Sequence, residues 1–168
     1  SMLLMQAVVC LALCSVAPPC PAESASADRR FERLGDRYLD RFTAFSPVSA
    51  TLIGDHRYDD RLDQVGAEAR ASKRQFLREF LHRLEAIDPK ELSVANQIDY
   101  ALLDHRLRAA LWRQDVLQEW AWNPLVYTGL AGDAVYGLTA RDFAPLEDRL
   151  ACVAARLEQF SRLLAQVR

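Results

Sequence analysis

The chain has 168 residues, enough for one domain with a real core; 51% of them are hydrophobic, and the formal charge is −2. Beyond residue 27, twenty-one basic side chains face twenty-two acidic ones, and no Arg/Lys run exceeds two, which speaks against a nucleic-acid-binding surface. A single cysteine, Cys152, lies beyond residue 27, so that part of the chain can form neither an internal disulfide nor a Cys-rich zinc site.

The chain opens with "MLLMQAVVCLALCSVA", breaks at "PPCP" and runs into "AESASA". The apolar run is shorter than the ~20 residues of a spanning helix, and Ala25-Ser26-Ala27 has the small-residue pattern of a cleavage site. Residues 1–27 are therefore read as a signal peptide and 28–168 as a helical domain, or part of one, that is periplasmic or secreted. No Lys or Arg precedes the apolar run, and Ser1 stands before Met2. A wrongly placed start or an attached anchor is the alternative, although "LALC" and "APPC" fit lipidation of Cys14 or Cys20 poorly. With the leader removed, no stable membrane span is expected.

Helical spacing then dominates. Phe31, Leu34, Tyr38 and Phe42 define one amphipathic helix. Ser46-Pro47 reads as an N-cap with proline at the first helical position, opening a short helix that Gly54 stops. "GDHRYDDRLDQVG" follows as a polar loop in which Asp59 and Asp60 should pair with Arg57 and Arg61 or cap the next element. A helix from about Ala67 to Ile87 and another from Ser93 to about Arg113, joined at Asp88-Pro89, predict an antiparallel helical hairpin. "QEWAWNPLVYTGLAGDAVYGL", with Pro124 and three glycines, reads as short helices and turns whose Trp120, Trp122, Tyr127 and Tyr136 pack over the hairpin. Finally Leu146, Leu150, Val153, Leu157, Phe160, Leu164 and Val167 alternate at +4 and +3, predicting one long helix with an apolar seam and no C-cap. No strand pattern occurs. The expected class is all-α, an irregular helical array that forms part of a larger fold. Cys152 reads as a buried small hydrophobe within this last helix.

Catalytic patterns are missing. The three histidines, His56, His82 and His105, form no His-Glu-x-x-His pair. Glu79 and His82 have the Glu-x-x-His spacing of di-iron bundles, but the second copy is absent, since Leu102 stands where His105 would need its glutamate. "DHRYDD" departs from the calcium-loop pattern. Neither a nucleotide-binding glycine loop nor a serine-hydrolase elbow is present. No catalytic, cofactor-binding or metal-ligating residue is assigned.

The order of features nevertheless resembles a known family. The pieces are Pro47, Ala50, Thr51, Gly54, His56, Tyr58 and Asp59; then Asp88, Leu92, Gln97 and Asp99; then Trp122, Asn123, Pro124 and Tyr127; then Arg149, Arg156 and Leu157. Together they resemble the N-terminal third of the bacterial domain-of-unknown-function 885 family, over about residues 29–168. Members look like helical zincin-type metallopeptidases whose His-Glu-x-x-Pro-Gly-His type motif lies well downstream of this region. The resemblance implies a non-catalytic N-terminal portion of an exported zinc-dependent peptidase-like hydrolase. Zinc would be expected only in the full-length parent, and the partners would be downstream helices of the same polypeptide and a peptide substrate. His56, Tyr58, Asp59, Trp122, Asn123 and Tyr127 would at most line a cleft, and "GDHRYDD" is read first as a structural loop. The rival reading is a free-standing periplasmic module that binds a protein or ligand through its aromatic segment.

Overall fold

A computed structural model describes residues 21–167, and all of its regular structure is helical. Helix α1 spans Pro21–Phe45, α2 Pro47–Ile53, α3 Ala67–Glu85 and α4 Val94–Trp112. They are followed by α5 Glu119–Trp122, α6 Leu125–Thr139, α7 Leu146–Glu158 and α8 Phe160–Val167. The apolar stretch of the expected leader, with Cys10, Cys14 and Cys20, lies outside the described residues. Its last part opens α1, and Ala27 is fully buried. Among the described residues no helix is long and apolar enough to cross a membrane.

Two apolar clusters organise the helices. In the first, Phe31, Leu34 and Tyr38 of α1 meet Phe76, Phe80 and Leu84 of α3 and Leu107 of α4. Tyr38 stacks on Phe76 at 5.7 Å, and Phe76 meets Phe80 one turn on at 4.9 Å. Spacings of three and four place these rings on one face of each helix, so the sequence pattern carries directly into the core. The predicted hairpin is formed by α3 and α4. Asp88 caps its connection by accepting from the Lys90 N–H at 2.9 Å, and Ser93 accepts from Asn96 N at 3.4 Å. Asp28 of α1 accepts from the Ser93 N–H at 2.9 Å, and this bond holds its carboxyl below the usual range.

The second cluster joins Val48 of α2, Leu62 of the following loop, Ala134 of α6 and Leu163 of α8. Pro47 stands at the start of α2 as expected, but the Ser46 hydroxyl does not cap the helix. It accepts instead from Lys73 Nζ at 3.2 Å, while Asp63 takes the Val48 N–H at 2.9 Å. Gly54 ends α2 at φ 91°, where its N–H reaches the carbonyls of Ala50 and Thr51.

Three expectations are corrected. The aromatic segment contains a real helix, α6, despite Gly129, Gly132 and Gly137. At Gly137 a Cβ would sit 3.2 Å from Leu52 Cδ2, so the small residue lets α6 approach α2 closely. The aromatics do not all cover the hairpin, because Trp122 is 62% and Tyr136 66% exposed. The long last helix is broken at Gln159, whose side chain accepts from Leu62 N at 3.2 Å and donates to the carbonyls of Asp60 and Ala155, both at 2.8 Å. Cys152 is half-buried, and burial pushes its thiol pKa up.

Candidate functional site

The polar loop after α2 is built around one buried carboxylate. The loop turns as a short 3-10 helix over His56–Tyr58, with Asp55 accepting from the Arg57 N–H at its start. Asp59, at the end of that turn, points inward. Its Oδ1 accepts from the Thr51 hydroxyl at 2.5 Å, and its Oδ2 faces His56 Nδ1 at 2.8 Å. A carboxylate oxygen only accepts, so Nδ1 carries the hydrogen, and a neutral His56 presents Nε2 as an acceptor. The imidazole lies flat on Phe143, with ring centroids 3.7 Å apart.

Behind Asp59 sits Arg156 of α7, with no exposed surface. It donates to Thr51 Oγ1 at 2.6 Å, to Ala134 O at 2.8 Å and to Pro47 O at 3.4 Å, and its Nη2 is 3.9 Å from Asp59 Oδ1. The Thr51 hydroxyl therefore accepts from the guanidinium and gives its one hydrogen to the carboxylate. Burial pulls the arginine pKa down, opposed chiefly by Asp59. One turn pair earlier on α7, Arg149 donates to the carbonyls of Leu138, Thr139, Arg141 and Ala144 at 2.8–3.3 Å and to Asp142 Oδ1 at 2.8 Å. It caps the negative end of α6. The expected partners of Asp59 are thus corrected. Arg61 reaches Asp60 at 3.8 Å, Arg57 binds Asp55 and Asp40, and Asp59 belongs to His56, Thr51 and Arg156.

Trp122, Asn123 and Tyr127 occupy a different corner. Tyr127 Oη donates to Trp120 O at 2.6 Å and Trp122 Nε1 to Leu117 O at 2.9 Å, while Asn123 Oδ1 takes the Leu125 N–H at 3.1 Å and starts α6. Arg70 lies over Trp120 at 4.0 Å. Each bond is local to the bend between α4 and α6, where Gln118 takes a left-handed conformation at φ 50°.

An open groove of about 820 Å³ lies between α1 and α4. Leu39, Phe42, Ile53, Leu102 and Leu103 form its apolar lining, with Glu32, Asp36 and Asp99 along α1 and α4, Arg106 further along α4 and Arg113 just after it. None of the six residues expected at a cleft lines it. Among the described residues no three His, Cys, Asp or Glu side chains converge where they could hold a metal ion.

Thr51, His56, Asp59 and Arg156, scattered over more than a hundred positions, thus form one hydrogen-bonded and ion-paired network, and Arg149 caps α6 separately. The sequence pattern of a bacterial protein family of unknown function, DUF885, matches residues 47–168 and so spans that whole network. The chain belongs to this family. It is also similar to a solved structure from Shewanella oneidensis described as "a putative lipoprotein of unknown function", with TM-score 0.75 and 29% sequence identity. That similarity covers 82% of this chain and 25% of the other, so the chain spans about a quarter of the length of that relative. No curated protein matches it.

Proposed function

We propose that this chain is the N-terminal, non-catalytic helical portion of an exported DUF885 protein of zinc-dependent, peptidase-like type. The observation that carries the reading is its match to a quarter of a longer solved protein while it leaves large apolar surfaces uncovered. Leu146, Leu150, Leu157 and Leu164 are 48–65% exposed on one side, and Leu39, Ile53 and Leu102 are 54–63% exposed in and beside the α1–α4 groove. Burying each such side chain fully would contribute roughly 1.5–3 kcal/mol, which favours a fold in which further helices cover them. The peptidase part of the reading rests on the family resemblance. In it, the Asp59 network is the frame that fixes α2, α6 and α7, and His56 Nε2 is one of the exposed groups of that loop able to reach a peptide. An envelope location is consistent with the leader-like start and with the description of the Shewanella relative.

The test is to read the genomic frame beyond Arg168 and to assay metal in both forms. Continuation for several hundred residues into a helix carrying His-Glu-x-x-(Pro-Gly-)His, with about one zinc in the full protein and none retained by the 168-residue chain, is the expected outcome. A stop codon directly after Arg168 would overturn it in favour of a free-standing module, whose exposed Trp122, Leu125 and Tyr136 would then be the binding surface.

A further inference from the structure

We propose that the pocket enclosed by the end of α1, the 61–64 loop, α3 and the α7–α8 joint binds a small carboxylate that carries an apolar group. The pocket has a volume of about 520 Å³. Its ionisable lining consists of three cations, Arg61, Lys73 and Arg162, and no carboxylate lines it, in a chain whose overall charge is slightly negative. The nearby acids offset them only in part: Asp63 attracts Lys73 from outside the lining while its Oδ1 accepts from the Val48 N–H, and Asp60 pairs with Arg61 loosely at 3.8 Å, with both side chains exposed. Neither Lys73 nor Arg162 has an ion pair among the described residues, whereas most surface arginines of α3 do.

Lys73 is the most buried of the three cations. Its ammonium has three donors, and the Ser46 hydroxyl at 3.2 Å takes one. It is half-buried, and burial together with the guanidinium charges of Arg106 and Arg113 outweighs the attraction of Asp63, which lowers its pKa. A desolvated cation among other cations gains from an incoming anion. The class of anion follows from the walls. Phe45, Pro47 and Leu62 give the pocket an apolar side that inorganic phosphate would not use, while an uncharged apolar ligand would bring no anion to the three cations of the lining. A carboxylate attached to an aliphatic group uses both. This site is independent of the peptidase reading. It would stand even if the parent proved inactive.

Isothermal titration of the chain with N-acetyl-leucine, N-acetyl-leucinamide and inorganic phosphate tests the proposal. N-acetyl-leucine should bind, and the amide should bind at least about tenfold more weakly because it lacks the charge. Lys73→Met and Arg162→Gln should each weaken N-acetyl-leucine by about tenfold; Arg162 is exposed, so its variant keeps the fold if Lys73→Met does not. N-acetylglycyl-leucine distinguishes the sources: tighter binding than N-acetyl-leucine marks a peptide C-terminus, and weaker binding marks a free acyl amino acid. Equal affinity for acid and amide, a preference for phosphate, no binding of N-acetyl-leucine, or unchanged affinity in both variants with melting curves like the parent's would overturn it.

Discussion

The two faces of α7 invert the usual rule. One face buries Arg149, Val153 and Arg156, and the other leaves Leu146, Leu150 and Leu157 about half exposed. The arginines are inside because neighbouring elements supply acceptors that match a guanidinium fork: the carbonyl end of α6, the Thr51 hydroxyl and the Asp59 carboxylate. A buried cation with such partners is tolerated, and one without them is not. The leucines are outside because nothing in these residues packs on that ridge. Burial on this helix is therefore decided by which partner is present, not by which side chain is more apolar.

The sharpest way to break the comparison is to remove one member of the buried network. Asp59→Ala should cost about 3–5 kcal/mol in urea unfolding, because Arg156 keeps its charge and loses its carboxylate. Asp59→Ala with Arg156→Met should recover a substantial part of that loss. A double variant no more stable than the single one would mean that the two side chains are not coupled. Arg149→Ala should cost about 2–3 kcal/mol, since several carbonyls at the end of α6 lose a charged donor at once. Loss of thermal stability without loss of far-ultraviolet helicity would place the damage in docking α6 to α7.

The opposite face should behave in the other direction. Replacing Leu150, Leu157 and Leu164 together by glutamine should change unfolding stability by no more than about 0.5 kcal/mol per site, as for surface positions. It should also reduce self-association in sedimentation velocity. A large loss of stability would show that the ridge is covered in solution.

The smallest effect concerns Lys73, whose pKa in the fold lies below its usual value. The unfolded chain then binds the proton more strongly between the lowered pKa and about 10.4, so stability should rise with pH through that window. Below the lowered pKa both states are protonated, and the penalty is constant and fully present. Lys73→Met should lack this rise and be at least as stable as the parent at neutral pH. Denaturation midpoints across the alkaline range would show it, and parallel pH profiles for the two proteins would rule it out.

Local chemistry was legible where neighbours in sequence are neighbours in space. The α3–α4 hairpin, its Asp88-Pro89 corner and the Gly54 cap depend on contacts within a few positions, and each appears where the pattern put it. Helix α6 was hidden, because its three glycines and the preceding Pro124 carry turn signals that only tertiary packing overrides. Gly137 makes sense as a helical residue only beside Leu52 of α2. The site was half legible. Thr51, His56, Asp59, Arg149 and Arg156 stood out as pieces of a family resemblance, but nothing in their spacing said that Asp59 gathers Thr51, His56 and Arg156. Two arginines seven positions apart on an amphipathic helix were the available signal. The apolar seam beside them pointed the other way.

The sequence by itself determined the helical class, most helix boundaries and the absence of a local catalytic motif. These follow from side-chain periodicity and backbone preferences that act over one or two turns. Only the tertiary structure decided which face of α7 turns inward, where the helix breaks at Gln159, and that three cations share a pocket without an acid in its lining. Those outcomes depend on hydrogen-bond acceptors and charges brought from positions up to about a hundred residues away. A helix's own sequence does not contain its neighbours' carbonyls.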